Sequence, residues 1–185
     1  MTAGRRLAIV IAALLVLALP RPTGIASAEG PALISDTPVA PAFKARTITG
    51  EKIDLSELVR RGPVVLDFWA TWCKPCLYAL PGLQQVHERY AARGVTVVGI
   101  SEDGPRNFAK VRPFASRYQL TYPLVLDEDG SLQSRYQVRS LPTTFVIDRA
   151  GRIAWTHQGY QPGLEQMIDE ALTRALADSV TGTPE

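Results

Sequence analysis

The sequence predicts an α/β fold with a mixed central β-sheet and helices on both faces. Two near-continuous apolar runs, residues 63–70 and 95–101, are typical of buried parallel strands. The helical pattern between them completes a strand–helix–strand unit, which indicates a right-handed crossover in a parallel sheet. Residues 143–148 and 152–159 are two further strands joined by a short turn, so they predict an antiparallel hairpin. A sheet that contains both kinds of pairing is mixed.

A secretory leader is predicted at the start of the chain. Arg5 and Arg6 precede an uninterrupted apolar run at residues 7–19, and residues 26–28 (Ala-Ser-Ala) match the small-residue pattern of a cleavage site. The apolar run is shorter than the roughly 20 residues that a membrane span needs. We therefore predict a signal peptide over residues 1–28, and an uncleaved membrane anchor is the alternative.

The rest of the chain is predicted to hold a linker at residues 29–42, one domain at 43–178 and a C-terminal tail at 179–185. The 185 residues suffice for one domain with its own core. The leader carries three arginines and no acids, so the mature part has 20 − 3 = 17 basic and 18 acidic residues. This balance gives no support for nucleic-acid binding.

Local patterns predict the elements of the first half. Residues 43–58 predict a hairpin followed by a short helix that Asp54 or Ser56 opens. The strand at 63–70 comes next. After Cys73, apolar residues recur at three- and four-residue steps, so they predict a helix that ends at Gly94.

The second half continues this alternation after the strand at 95–101. An apolar stripe predicts a helix over residues 108–118, which Pro113 is expected to bend or split. Residues 122–127 predict a strand and residues 130–138 a short helix. A last amphipathic helix follows the C-terminal hairpin.

The chain has only two cysteines, Cys73 and Cys76, which could form a structural disulfide, half of a metal site or a redox pair. A structural disulfide that closes so short a loop constrains little of the unfolded chain. Zinc needs about four ligands, and the only histidines, His87 and His157, lack suitable spacing. We therefore favour a redox pair in an exported protein and predict neither a metal nor an organic cofactor.

The helix start sets the roles of the two cysteines. Cys73 lies just before or at the first turn, where Pro75 loses no hydrogen bond. Free N–H groups at the helix start and the cation Lys74 favour the thiolate form of Cys73. Cys76 follows within the same turn, at a spacing that suits a disulfide. Cys73 is thus the predicted attacking thiolate and Cys76 the resolving thiol.

Asp67 interrupts the apolar run six residues before Cys73. A buried acid is costly unless it has a partner or a role. Burial would raise its pKa and allow it to exchange protons with Cys76. The alternative is an acid at the strand end that reaches solvent or caps a neighbouring element.

Two segments carry a resemblance to a known family. "VVLDFWATWCKPC" (64–76) and "SLPTTFVID" (140–148) resemble the active-site and cis-proline segments of the thioredoxin superfamily. The export signal, the predicted hairpin and the extra helix and strand at 104–127 resemble its TlpA/ResA-like extracytoplasmic thiol-disulfide oxidoreductases, a redoxin or AhpC/TSA-like branch. The resemblance covers about residues 38–178 and implies a thioredoxin-like fold with an N-terminal hairpin and a helix-strand insert.

The resemblance also implies roles for residues outside the cysteine pair. Leu141–Pro142 would be a cis peptide, with Pro142 facing the dithiol. The backbone of Leu141 would pair with an extended segment of a partner protein. Trp72 would form an apolar lip beside Cys73. Pro81 resembles the family's kink in the active-site helix.

Two positions depart from the family pattern. Many extracytoplasmic members carry Asn where this chain has Asp67. Some have Glu three residues after the second cysteine, where this chain has Ala79. If an acid serves the pair, Asp67 is the candidate.

The predicted function is that of a periplasmic or otherwise extracytoplasmic protein-disulfide reductase that acts on disulfide-bearing proteins. The resemblance implies a thiol-reducing membrane electron donor and a place in cytochrome c maturation. An oxidant remains open, because Lys74 favours the thiolate while Asp67 opposes it. A chaperone or copper carrier on the same fold is the non-enzymatic alternative. Peroxidase activity is disfavoured, because Ala70 stands where peroxiredoxins have Thr.

Overall fold

A computed structural model describes residues 37–181 of the chain. The strands within this part are β1 (Lys44–Arg46), β2 (Lys52–Asp54), β3 (Val64–Trp69), β4 (Thr96–Ser101), β5 (Leu124–Leu126), β6 (Thr143–Ile147) and β7 (Ile153–Gln158). The α-helices are α1 (Leu55–Arg61), α2 (Lys74–Tyr90), α3 (Phe108–Arg117), α4 (Ser131–Arg135) and α5 (Leu164–Thr181). A 3₁₀ turn, Ala91–Arg93, follows α2 and ends at Gly94.

The central sheet contains five strands in the order β5-β4-β3-β6-β7. β3 pairs in parallel with β4 and antiparallel with β6, and β4 pairs in parallel with β5. β6 and β7 form the C-terminal antiparallel hairpin. The predicted mixed sheet is confirmed. β1 and β2 form the separate N-terminal hairpin, and the side chain of Asp54 caps α1 by accepting from the Ser56 N–H group at 2.8 Å.

Alternate residues of β3 face the two helical layers, because successive side chains of a strand point to opposite faces. Val65 and Trp69 join the apolar cluster that includes residues of α2, α3 and α5. Leu66 and Phe68 join the cluster that includes residues of α1, α4 and the hairpin. Helices therefore cover both faces of the sheet, as predicted for a thioredoxin-like fold.

The linker prediction is wrong for residues 38–42. The Ala40 N–H donates to the Gly151 carbonyl at 2.8 Å, and the Tyr136 hydroxyl donates to the Pro41 carbonyl at 2.8 Å. Ala40 is also buried. Pro and Ala content suggested a free segment, but these residues bind to the domain through their backbone. At the other end, α5 continues to Thr181, beyond the predicted domain boundary at residue 178.

Pro113 lies inside α3 without splitting it. A proline removes one intrahelical hydrogen bond, and apolar contacts made by the buried residues Val111 and Ala115 hold the helix on the sheet. The predicted leader (1–28), the first part of the linker and residues 182–185 lie outside the described residues. Across residues 37–181, no helix is both long enough and apolar enough to cross a membrane.

Candidate active site

The cysteine pair lies at the N-terminus of α2, where the first helical N–H groups are free to bind a side chain. Cys73 is the N-cap residue, and its Sγ accepts a hydrogen bond from the Cys76 N–H at 3.2 Å. The two cysteines form a disulfide with Cα atoms 5.3 Å apart. Lys74 and Pro75 form the beginning of the helix. The predicted helix start and disulfide geometry are confirmed.

The two sulfurs differ in their access to solvent. Cys73 is 5% exposed, while Cys76 is fully buried. Cys73 also lines an open groove of about 770 Å³, which we call the active-site groove. It is lined by Trp72, Cys73, Lys74, Pro75, Glu102, Gln133, Arg139, Ser140 and Leu141. A partner that enters this groove therefore meets Cys73 and not Cys76.

The segment before β6 forms the other wall of the active-site groove. Leu141–Pro142 is a cis peptide bond, as predicted. The Pro142 carbonyl accepts from the Gly159 N–H at 2.8 Å, so it is engaged within the domain. Within residues 37–181, the backbone groups of Leu141 bind no other residue. Leu141 thus has a free donor and acceptor beside the groove.

Hydrogen bonds from the end of β4 position the turn that carries Trp72 and Cys73. The Glu102 N–H donates to the Trp69 carbonyl at 2.8 Å. The Thr71 N–H and hydroxyl donate to the Asp103 carboxylate at 2.9 and 2.6 Å. Asp103 is fully buried, so these bonds lie away from competing water. They hold the turn against the sheet and leave the Trp72 side chain 62% exposed.

Asp67 is fully buried in the middle of β3, between Gly99 of β4 and Thr144 of β6. Strand alternation places its side chain on the sheet face that α2 covers, the face that also holds Cys76. The Thr144 hydroxyl donates to its Oδ1 at 2.8 Å, and its Oδ2 has no partner among the described residues. Burial raises the pKa of Asp67 to about 7, and the Thr144 bond offsets only part of that rise. The alternative of a solvent-exposed acid at the strand end is wrong.

Glu102 is a groove residue that sequence reasoning missed. Its Oε1 is buried and has no hydrogen-bond partner within residues 37–181. Burial raises the pKa of Glu102 to about 8, and the negative charges of Asp127 and Asp103 add to this rise. One signal could have found it, because parallel strands end at the same edge of a sheet. Glu102 directly follows β4, beside the active-site turn that follows β3.

Two exposed tyrosines near the pair were also missed. Tyr78 is 67% exposed on α2, two residues after Cys76, and its ring packs against that of Tyr160 with centroids 5.6 Å apart. Tyr160 follows Gly159, which binds the Pro142 carbonyl. Apolar aromatic surface therefore lies on α2 and beside the cis-proline segment.

The arrangement supports exchange of disulfides. In the described part of the chain, no group of three or more His, Cys, Asp or Glu side chains is arranged to hold a metal ion. The pair can open to two thiols and close again by exchange with another disulfide through a mixed disulfide. The fold and the cysteine pair define a thiol-disulfide oxidoreductase.

Comparisons with known proteins agree. The chain belongs to the AhpC/TSA family, whose profile matches residues 38–156. It is 36% identical over 132 residues to the thioredoxin-like protein YneN of Bacillus subtilis (strain 168), covering 70% of this chain and 76% of that protein. It is 32% identical over 135 residues to the thiol-disulfide oxidoreductase ResA of Bacillus thuringiensis subsp. konkukian (strain 97-27), covering 73% and 75%.

Solved structures give the same result. A thiol:disulfide interchange protein of the thioredoxin family from Chlorobium tepidum TLS aligns with a TM-score of 0.66 and 26% identity, over 76% of this chain and 97% of that one. StoA from Bacillus subtilis aligns with a TM-score of 0.62 and 29% identity, over 72% and 97%. The predicted resemblance to thioredoxin-like oxidoreductases is confirmed.

Proposed function

We propose that this chain is an extracytoplasmic protein-disulfide reductase. The observation that carries the proposal is the Cys73–Cys76 disulfide, which lies at the start of α2 with only Cys73 open to a groove. The predicted leader at residues 1–28 supports an extracytoplasmic location, periplasmic in a cell with two membranes. Disulfides persist in that environment, so it contains substrates for a reductase.

Cys73 is the attacking group in the proposed reaction. The helix N-terminus and Lys74 favour its thiolate, which attacks one sulfur of the partner's disulfide. A mixed disulfide between Cys73 and the partner forms. Cys76, buried beneath it, then attacks Cys73 and releases the partner with both sulfurs reduced.

Asp67 is the proposed base for Cys76. It lies on the sheet face covered by α2, and its raised pKa lets it take up and release a proton near neutral pH. The Cys76 thiol must lose its proton before it attacks. A carboxylate at Asp67 can accept that proton in the dry core, where water cannot.

The groove binds the partner in this proposal. An extended segment of the partner pairs with the free backbone groups of Leu141, next to cis Pro142. Trp72 gives it an apolar contact on the opposite side of Cys73. The ring pair Tyr78–Tyr160 extends the apolar surface beyond the groove.

The direction of transfer follows from the charge near the pair. An oxidant of this type needs a strongly stabilised reduced form. The carboxylate of Asp67, buried on the same sheet face, disfavours a thiolate and so favours donation of electrons. We propose that a thiol-reducing membrane donor restores the dithiol, and that substrates include the Cys-x-x-Cys-His segments of exported apocytochromes c. Haem attachment uses such segments in their thiol form.

Replacement of the attacking sulfur tests the proposed function. Cys73→Ser should abolish the protein's catalysis of insulin disulfide reduction, measured with dithiothreitol as the electron source. The serine hydroxyl cannot form a mixed disulfide. The Ser131→Ala variant is the control. Its substitution lies away from the cysteine pair, so it should keep full activity. Full activity in Cys73→Ser would show that the pair does not carry the reaction.

A further inference from the structure

We propose that Glu102 donates a proton to the thiol that a partner protein releases into the active-site groove. This inference rests on the reductase activity proposed above and adds a second acid to it. Asp67 serves the buried sulfur of Cys76, and Glu102 serves the open side of the disulfide, where the partner's sulfurs leave.

The first argument is position. Glu102 and Cys73 line the same groove, so a partner segment seated on Cys73 also meets Glu102. Two links hold Glu102 next to the active-site turn: its own N–H binds the Trp69 carbonyl, and its neighbour Asp103 binds Thr71. The backbone of Glu102 is thereby fixed beside the turn that carries Cys73.

The second argument is the distribution of hydrogen-bond donors among three neighbouring acids. Asp103 accepts from Thr71 and from the Ser101 hydroxyl. Asp127 accepts from the N–H groups of Leu132 and Gln133. Both of these carboxyl groups therefore have hydrogen-bond donors, whereas Oε1 of Glu102 is buried without any donor in the described residues.

A proton is therefore favoured on Glu102, whose buried Oε1 has no donor among the described residues. Its pKa of about 8 agrees with this placement, since burial and the charges of Asp127 and Asp103 all raise it. The cations Lys74 and Arg139 line the same groove. The result is an acid that is protonated at neutral pH and lines the groove into which Cys73 opens.

The proposed steps balance as follows. The Cys73 thiolate attacks the partner's disulfide, and the partner's distal sulfur leaves with the electron pair as a thiolate. The Glu102 carboxyl group gives it a proton and regains one from water. Cys76 then attacks Cys73 and passes its proton to Asp67, and the partner's second sulfur leaves and takes a proton from Glu102. Two electrons pass from the dithiol to the partner.

Two disulfide probes separate this role from others. Glutathione disulfide releases a basic thiolate that benefits from a proton, whereas 5,5′-dithiobis(2-nitrobenzoate) releases a thiolate that is a stable anion at neutral pH. The rate constant of the reduced protein is measured with each, near pH 6.5. Glu102→Gln should lower the ratio of the glutathione rate to the aromatic rate at least about tenfold. Below pH 8 glutamine carries the same charge as the protonated acid, so the thiolate fraction of Cys73 stays the same.

Two further variants serve as comparisons. Glu128→Gln removes an exposed acid next to Asp127 that does not line the active-site groove, and it should keep the unmodified ratio. Glu102→Asp keeps a carboxyl group on a shorter side chain and should recover part of the ratio. A merely structural role would give the opposite order, because glutamine matches the size of glutamate. In the unmodified protein the ratio should fall as the pH rises through about 8.

An unchanged ratio in Glu102→Gln, or the same fall in Glu128→Gln, would overturn the role of Glu102 and leave the reductase intact. Failure of the unmodified dithiol to react with either probe would overturn the proposed function, and the role of Glu102 with it.

Discussion

Asp67 is a titratable group in the core, on the sheet face that also holds Cys76. It is fully buried, and one of its oxygens has no partner among the described residues. Because an isolated charge is costly in such a place, the carboxyl group holds its proton up to about pH 7. The folded protein therefore contains a group that titrates in the range where the enzyme works.

We predict that this group makes stability depend on pH. The pKa of Asp67 is 3.8 in the reference state and about 7 in the fold. Between these values the folded state binds more protons at Asp67, so the contribution of Asp67 to the free energy of unfolding of the oxidised protein falls as the pH rises from about 4 to about 7. Glu102 adds a separate fall that continues to about pH 8. The fall due to Asp67 is up to about 4 kcal/mol, at about 1.4 kcal/mol per pKa unit. Asp67→Asn should remove it, as measured by urea unfolding.

The same variant tests the proton role in catalysis. With Asp67→Asn, resolution of the mixed disulfide should slow near neutral pH, because Cys76 has lost its base.

The stability prediction has its own contradicting outcome. Parallel curves of unfolding free energy against pH for the two proteins, from about pH 4 to pH 8.5, would show that Asp67 is not the titrating group.

At this scale the sequence was informative about some groups and silent on others. The buried acid could be predicted because Asp67 interrupts an apolar run. The place of Glu102 at the edge of the sheet could be predicted from the strand that precedes it, but its burial could not, because acids that follow a strand are commonly solvated. The raised pKa of Glu102 also depends on the charges of Asp103 and Asp127, which follow two different strands, and no local pattern contains this.

Among the elements, β4 packs closely against its neighbours in the middle of the sheet. Gly99 of β4 lies opposite Asp67, and a Cβ atom there would lie 2.6 Å from Cδ2 of Leu124 and 3.0 Å from Nε1 of Trp69. These neighbours are buried and cannot move freely. A glycine is therefore needed for packing in the middle of the sheet.

We predict that Gly99→Ala destabilises the protein by about 1–3 kcal/mol, because the added methyl group overpacks the core. Gly104→Ala is the matched control, since nothing lies within 4 Å of the position of its Cβ. That variant should change the free energy of unfolding by less than about 0.5 kcal/mol. Urea unfolding of both variants checks the prediction. Equal stability of the two would mean that the sheet yields at Gly99.

Most elements could be predicted from periodicity. Two segments, residues 38–42 and the helix that contains Pro113, could not be predicted fully, and for the same reason. The strand after residue 63 was predicted from an apolar run, and the helix after Cys73 from apolar residues at three- and four-residue steps. These local patterns indicate the type of element without information about distant contacts. Residues 38–42 contain no such run, and their place depends on distant partners such as Gly151 and Tyr136. Pro113 was expected to bend or split α3, and the helix is continuous because contacts with the core maintain it. In both segments, tertiary contacts determine the structure.

For the whole molecule, a trapped intermediate would identify the partner. Cys76→Ser should accumulate a mixed disulfide between Cys73 and its substrate, because the resolving thiol is absent. Expression of this variant with its leader, followed by non-reducing electrophoresis, would display the adduct, and mass spectrometry would identify the captured protein. Cys73→Ser/Cys76→Ser is the control. Capture of the same proteins by that control would show that they are not bound through Cys73.

Direction is the central claim about the whole molecule, and the reduction potential of the Cys73–Cys76 pair tests it most directly. The buried Asp67 disfavours the thiolate and so stabilises the disulfide relative to the dithiol. Equilibration of the protein with redox buffers of dithiothreitol, followed by quantification of the free thiols, gives the potential at pH 7. We predict a value below about −230 mV, which suits a reductase. A value near about −120 mV would contradict the account and show that the protein is an oxidant.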